Sequence, residues 1–269
     1  VVDGDIRDRA LVGELVQGSD YVFHQAALRI TQCAEKPREA VEILGDGTFN
    51  VFEAAVEHGV KKVIAASSAS VYGEPDYLPI DERHPFNNRT MYGGAKIFNE
   101  QMLMALHDTH GLNYVALRPF NVYGPRMDLV GVYTEVLIRW MDAIEAGTPP
   151  LIFGDGSQSM DFVYVDDVAR ANILAAESSV TNDVFNVGTG TQVSLKELCH
   201  LLLALTNSPL KPEHREARKV ANVTRRQASI EKAEKLLGFR AQVTLAEGLK
   251  SLIQWRLEMK KLQTVTQEA

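Results

Sequence analysis

Short apolar runs alternate with helix-forming segments through the first two thirds of this chain of 269 residues. Apolar runs bounded by turns predict buried strands, and strands separated by helices predict a parallel sheet with helices on both faces. The clearest helices are predicted over residues 40–58 and 92–110. Strands are predicted at residues 1–2, 21–24, 63–66, 114–117 and 184–187. The predicted fold class is therefore α/β, a doubly wound parallel sheet of the Rossmann type.

The pattern changes after about residue 127, where a long helix through Ala146 and the turn Gly154-Asp155-Gly156 precede a polar stretch over 209–226. We predict a smaller, interleaved α/β domain in this part of the chain. The first domain would comprise 1–123 and about 161–192, and the second about 124–160 and 193–269.

Composition excludes several classes of protein. A net charge of −7 with scattered basic residues argues against a nucleic-acid surface. No run reaches the roughly 18 apolar residues that a membrane-spanning helix requires. Cys33 and Cys199 lie far apart without metal-ligand spacing, so they predict buried, reduced thiols. We expect a cytoplasmic protein with no metal site.

Three motifs point to chemistry at one edge of the sheet. Ser67-Ser68 follow the predicted strand 63–66, and the carboxyl ends of parallel strands are where open α/β sheets bind ligands. Tyr92 and Lys96 are four residues apart and therefore share a helix face, where the ammonium could lower the pKa of the phenol. Phe120-Asn121-Val122-Tyr123-Gly124-Pro125 follows the next strand. Together they indicate a nicotinamide-dependent site, although a surface turn and a solvated lysine would explain single motifs.

With these motifs, the chain resembles the NAD-dependent epimerase/dehydratase family of extended short-chain dehydrogenases/reductases, and within it the nucleotide-sugar 4-epimerases. The resemblance runs from Asp3-Gly4-Asp5-Ile6-Arg7-Asp8 to the segment 245–255. Family members open with a glycine-rich βαβ unit that holds the pyrophosphate, and no such motif occurs here. The resemblance implies that this sequence starts at the third strand, with about 50 residues upstream. The sheet would then have a gap between 1–2 and 21–24.

The resemblance also implies an NAD cofactor and the residues that contact it. Asp5 and Ile6 would flank the adenine, with core packing as the alternative for Ile6. Tyr92 and Lys96 would face the nicotinamide and its ribose. The other cofactor contacts would come from the strand ends and from the loop after 21–24: Gln25, Ala26, Ala27, Arg29, Ala66, Ser67 and Pro119.

For catalysis, the resemblance assigns Tyr92 as the base, Lys96 as the residue that tunes it, and Ser68 as the hydrogen-bond partner of the reacting hydroxyl. The implied substrate contacts are Ser68, Ser70, Asn121, Arg126, Arg218, Arg225 and Arg226. Two positions depart from the family pattern. Met160 stands where a phosphate-binding arginine is common, so the three later arginines are candidates to replace it. Leu44 stands where relatives carry an asparagine that buttresses the active-site helix.

The implied function is NAD-dependent epimerisation of a nucleotide-diphosphate sugar, of the UDP-glucose or UDP-N-acetylglucosamine 4-epimerase type, through a transient 4-keto sugar. A homodimer through helices 40–58 and 92–110 is expected. An NAD(P)-dependent reductase of a keto sugar or another small carbonyl compound remains an alternative, because it would share Tyr92, Lys96 and Ser68. A 4,6-dehydratase or decarboxylase is disfavoured because Ser68-Ala69-Ser70 contains no carboxylate. A non-enzymatic cofactor-binding scaffold would be expected to have lost the tyrosine or the lysine.

Overall fold

The computed structural model describes residues 1–129, 136–216 and 223–268, with side chains described as far as Leu262. The α-helices are α1 (Arg9–Val16), α2 (Ile30–Glu35), α3 (Pro37–Val41), α4 (Thr48–Glu57), α5 (Met91–His110), α6 (Val136–Glu145), α7 (Val165–Glu177), α8 (Leu195–Leu205), α9 (Glu231–Leu237) and α10 (Leu245–Glu268). The strands are β1 (Tyr21–His24), β2 (Lys62–Ala66), β3 (Tyr114–Pro119), β4 (Asn121–Tyr123), β5 (Leu151–Phe153), β6 (Ser159–Met160), β7 (Phe162–Tyr164), β8 (Asp183–Val187), β9 (Val193–Ser194) and β10 (Glu213–Arg215). No helix in these ranges is both long enough and apolar enough to cross a membrane.

A four-stranded parallel sheet in the order β1-β2-β3-β8 forms the centre of the molecule. These are four of the five predicted strands. The prediction of a strand at residues 1–2 is wrong: both valines are exposed and carry no strand pairing in the described structure. A strand requires a neighbour for its N–H and C=O groups, and none of the described strands lies beyond β1. The sheet therefore ends at β1 without the predicted gap, with Tyr21 and Phe23 exposed along that edge.

Alternating side chains on the strands build a core on each face of this sheet. Val63 and Ala65 of β2 pack with helices α1, α4 and α5, whereas Ile64 between them packs with α7 and α9. Successive residues of a strand point to opposite faces, so an apolar run such as that of β2 is buried on both sides. This packing confirms the doubly wound fold class.

The helix that later supplies Tyr92 and Lys96 has clear start and stop signals. The hydroxyl of Thr90 accepts the N–H of Gly93 at 3.1 Å and caps the start of α5. Gly111, with φ 72°, ends the helix in the left-handed conformation. The predicted helix 92–110 is therefore confirmed. The predicted helix 40–58 is helical as well, but a π-helical segment, Glu42–Gly47, separates α3 from α4.

A second core lies beyond the main sheet. Helices α6, α8 and α10 enclose Trp140, Leu202 and Leu252, all of them buried. Three two-stranded pairings border this core: β4 with β7 and β5 with β10 in parallel, and β6 with β9 antiparallel. The second core includes Tyr123 and Tyr164, which the predicted first domain contains, and the two-domain division remains a prediction.

Candidate active site

The three predicted catalytic side chains meet at the carboxyl end of β2. Ser68 follows this strand, and its side chain lies close enough to Tyr92, the second residue of α5, to lower the pKa of the phenol. Lys96 lies one turn further along α5, with its Nζ 5.7 Å from the centroid of the Tyr92 ring. The long helix α5 thus presents Tyr92 at its amino-terminal end, where the partial positive charge of the backbone favours an anion.

The predicted effect of Lys96 on Tyr92 is not seen in the chain by itself. Burial raises the pKa of the Tyr92 phenol, and the hydrogen bond from Ser68 opposes that rise. Lys96 is 1% exposed and donates to the carbonyl oxygen of Ala66 at 2.6 Å. Burial lowers the pKa of its ammonium to about 8. The predicted lowering of the phenol pKa is wrong for the isolated chain, because dehydration of the phenolate is the largest effect and raises the pKa.

A buried ion pair lies next to these residues, and neither of its members was predicted from the sequence as a site residue. Arg118 of β3 donates from Nε and Nη2 to the two carboxylate oxygens of Glu100, at 2.8 and 2.6 Å. The hydroxyl of Ser67 donates to the same carboxylate. Glu100 lies on α5, four residues after Lys96, so the spacing of 92, 96 and 100 was the available sequence signal.

A hydrogen bond that supports the active-site helix is present, but a residue other than the one at position 44 donates it. Asn99 of α5, oriented so that its Nδ2 faces two carbonyl groups, donates to Leu44 at 2.7 Å and to Ala95 at 3.0 Å. Leu44 lies in the π-helical segment, where widened turns leave carbonyl groups available. An asparagine on the opposite helix therefore compensates for the apolar Leu44.

Several predicted cofactor contacts are already engaged by neighbouring side chains. Asp5 forms an ion pair with Arg7 at 2.6 Å, Gln25 donates to Asn172 at 2.9 Å, and Arg29 pairs with Asp128. Ile6 packs against Gly47 and the core of the first sheet face, which favours the packing alternative. The Ser67 hydroxyl is turned inward to Glu100. Ala26 and Ala27 are exposed, while Ala66 and Pro119 are half-buried.

Some of the residues present nevertheless fit a bound NAD. An ammonium has three N–H donors, and Lys96 gives one to Ala66 within the described structure. Asn121 has a buried Oδ1 without a hydrogen-bond partner among the described residues. The exposed methyl groups of Ala26 and Ala27 leave space for close approach of a ligand. The remaining Lys96 donors are what ribose hydroxyls would satisfy, whereas the Asn121 oxygen faces the side assigned to the substrate.

A cavity of about 1010 Å³ is lined by residues close in sequence to the candidate catalytic side chains. Its walls include Ser70 and Thr90, which are two residues from Ser68 and Tyr92 respectively, together with Asn121, Met160 and Arg226. Burial lowers the pKa of Arg226 to about 10 although Glu74 opposes this, and its Nε has no partner among the described residues. The structure therefore places a guanidinium in the same wall as Met160.

The other predicted arginines are placed differently. Arg126 and Arg225 are exposed, and Arg126 adopts a φ of 70° in the turn after β4. Arg218 lies outside the described residues. Cys33 and Cys199 are buried free thiols. The described ranges contain no group of three or more His, Cys, Asp or Glu side chains that could hold a metal ion.

The chain is similar in sequence and in fold to known proteins. The chain is 34% identical over 257 residues to the UDP-glucose 4-epimerase of Mycolicibacterium smegmatis, an alignment covering 94% of this chain and 82% of that protein. It is 33% identical over 270 residues to a UDP-N-acetyl-alpha-D-glucosaminuronate decarboxylase of Bacillus cytotoxicus, covering 96% and 83%.

The solved UDP-N-acetylglucosamine 4-epimerase of Methanobrevibacter ruminantium M1, in complex with UDP-N-acetylmuramic acid, superposes with a TM-score of 0.91. Its sequence identity is 32%, over 96% of this chain and 83% of that one. A family model described as the NAD dependent epimerase/dehydratase family matches residues 1–188. The chain belongs to the NAD-dependent epimerase/dehydratase family.

Proposed function

We propose that this protein is an NAD-dependent 4-epimerase of a nucleotide-diphosphate sugar, of the UDP-glucose or UDP-N-acetylglucosamine type. The observation that carries the proposal is the placement of Tyr92 and Lys96 on one face of α5, with the Lys96 Nζ 5.7 Å from the Tyr92 ring, next to Ser68 at the end of β2. A nucleotide sugar requires a cavity as large as the one described above, with a few polar groups that fix its orientation.

Side chains of the protein itself carry out the proton transfer. Tyr92 accepts the proton of the sugar 4-hydroxyl and later returns it, and Ser68 holds the reacting oxygen by a hydrogen bond. Lys96 supplies positive charge one turn away, which favours the phenolate once the site is closed to water. When bound, NAD would supply the acceptor for the hydride of sugar C4 and then the donor that returns it, so the reaction has no net redox change.

Substrate binding is assigned to the cavity walls. Arg226 is the cation for the diphosphate and replaces the arginine expected where Met160 stands, because it lines the cavity and its Nε has no hydrogen-bond partner among the described residues. Asn121 and Ser70 would orient the sugar, since both line the same cavity. The half-turn of the keto sugar between the two hydride transfers requires an anchored diphosphate and a roomy sugar pocket.

The epimerase proposal is favoured over elimination or decarboxylation by the residues beside Tyr92. Ser68 and Ser70 flank Ala69, so this segment offers no acid for either step. The carboxylate of Glu74, in the cavity wall, accepts hydrogen bonds from the N–H and hydroxyl of Thr224. Glu100 is committed to Arg118.

We further propose that the enzyme is a cytoplasmic homodimer. Buried free thiols at Cys33 and Cys199 support a reducing compartment. Exposed apolar side chains on the paired helices α4 and α5 support self-association: Phe49, Met91, Phe98 and Met104.

The test is to incubate full-length protein with UDP-glucose, UDP-galactose and UDP-N-acetylgalactosamine without added cofactor, and to follow the anomeric protons by NMR. Interconversion at C4 without net NADH would support the proposal, and Tyr92→Phe should abolish it. No conversion until NADPH and a keto substrate are supplied would instead identify a reductase.

A further inference from the structure

We propose that Glu100 and Arg118 are positioning residues of the active site, because their buried ion pair fixes the end of β2 that carries Ser68. The inference rests on the proposed function. Neither side chain has a place in the reaction steps given above. Glu100 acts through Ser67, which precedes Ser68, and through Lys96. Arg118 acts through Glu100 and through Tyr72.

The first link runs through Ser67. This residue is 4% exposed, and its hydroxyl donates to Glu100, while its N–H donates to the Leu117 carbonyl of β3 at 2.7 Å. Ser67 is thereby held from both its backbone and its side chain. Ser68 follows directly, so its hydroxyl is held in register with Tyr92. A displacement of about 1 Å in such a group costs on the order of 100-fold in rate.

Arg118 extends the same network to the segment after Ser68. Its Nη1 donates to the Tyr72 hydroxyl at 2.8 Å and to the Glu82 carbonyl at 3.1 Å. The Tyr72 hydroxyl donates in turn to Asn186 of β8 at 2.6 Å. Ser67 and Tyr72 therefore bracket Ser68 and Ser70, and both are tied to the ion pair. The pair connects β2, β3, β8 and α5 at the edge where catalysis is proposed.

The second link is electrostatic and runs along α5. Burial lowers the pKa of the Lys96 ammonium, and this lowering is opposed first by Cys33 and then by the carboxylate of Glu100, one turn further along α5. Among the described residues, His24 also interacts electrostatically with Lys96. Removal of the Glu100 charge should therefore make Lys96 lose its proton at lower pH.

Three variants of the full-length, NAD-bound protein separate positioning from folding. Glu100→Gln removes the charge, and Ser67→Ala removes only the hydroxyl and leaves the ion pair intact. Asp167→Asn is the matched control, since Asp167 is another buried helix carboxylate paired with an arginine, Arg170, at 2.7 Å. The measurements are kcat and KM, the pH dependence of kcat, and the titration of Lys96 by NMR of ¹³C-labelled lysine.

We expect Glu100→Gln to lower kcat by about 10- to 100-fold, with KM changed less than threefold. In this variant, the decrease of kcat at alkaline pH and the titration of Lys96 should both occur at lower pH than in the wild type. Ser67→Ala should lower kcat with an unmoved Lys96 titration, and Asp167→Asn should change neither. A Glu100→Gln protein with the kcat and Lys96 titration of Asp167→Asn would overturn the inference, as would a fully active Ser67→Ala protein.

The two proposals fail in different ways. If the wild-type protein turns over no nucleotide sugar, the proposed function fails. The Lys96 titration needs no substrate and still tests the link between Glu100 and the active-site helix. If Glu100→Gln does not fold, Ser67→Ala still tests the link to Ser68.

Discussion

The buried, charged ammonium of Lys96 lowers the stability of the folded protein at neutral pH. Its ammonium is almost fully buried, and the pKa of about 8 lies below the ordinary value of 10.5. The unfolded chain therefore binds more protons between pH 8 and 10.5, so this group makes the folded state more stable as the pH rises through that range. Below pH 8, the buried charge lowers the free energy of unfolding by its full amount, about 3 kcal/mol.

We predict that Lys96→Met abolishes activity and raises the free energy of unfolding at pH 7. The gain should be about 1–2 kcal/mol, because the hydrogen bond to Ala66 is lost at the same time. Urea unfolding of cofactor-free protein at several pH values is the measurement. The advantage over the wild type should shrink between pH 8 and 10.5. A variant less stable than the wild type at pH 7 would contradict the buried-charge explanation.

Arg226 and Arg225 are neighbours in sequence with different surroundings. Arg226 lines the cavity, and its Nε has no hydrogen-bond partner in the part of the chain that the structure describes, whereas Arg225 is exposed. We predict that Arg226→Gln weakens binding of UDP about 10- to 100-fold, since hydrogen bonds to charged groups contribute about 1.5–3 kcal/mol. Arg225→Gln is the control and should bind within threefold of the wild type in calorimetry. Equal losses in both variants would argue against a specific phosphate contact.

At the level of elements, the attachment of α10 depends on one helical glycine. A Cβ at Gly248 would lie 2.2 Å from the Tyr123 hydroxyl oxygen and 2.7 Å from Cδ2 of Tyr164. These rings belong to β4 and β7, so the glycine lets α10 approach both strands closely. Gly13 in α1 has nothing within 4 Å of its Cβ position.

Replacement of each glycine by alanine should therefore have opposite effects. We predict that Gly248→Ala lowers the free energy of unfolding by about 1–3 kcal/mol through overpacking. Gly13→Ala should raise it by about 0.5–1 kcal/mol, because alanine favours the helix and meets no obstacle. Urea denaturation of the two variants measures both values. A stabilising Gly248→Ala would mean that α10 does not need this close approach.

At the level of the whole molecule, the proposed dimer can be tested on its apolar surface. Phe98 of α5 is 53% exposed, and Ile173 of α7, on the opposite face of the sheet, is 52% exposed. We predict that Phe98→Glu converts the dimer to a monomer in sedimentation experiments, because a charge would be buried without a partner. Ile173→Glu should leave the dimer intact. Dissociation by both variants, or by neither, would argue against the α4–α5 interface.

The sequence by itself determined the order of the main elements and the candidate catalytic residues. Strands β1, β2, β3 and β8 follow from local apolar runs, and α5 follows from its periodicity and its bounding Thr90 and Gly111. Tyr92, Lys96 and Ser68 lie in short motifs whose spacing matches helix and strand geometry. Such local patterns are readable because each is encoded within a few neighbouring residues.

Only the tertiary structure decided contacts between residues distant in sequence. It joined Glu100 to Arg118 and Ser67, supplied Asn99 as the partner of Leu44, and distinguished Arg226 from Arg225. It also showed that residues 1–2 form no strand, since pairing depends on a neighbour and not on local sequence. Burial reversed the predicted direction of the Tyr92 pKa, because dehydration depends on everything packed around a side chain.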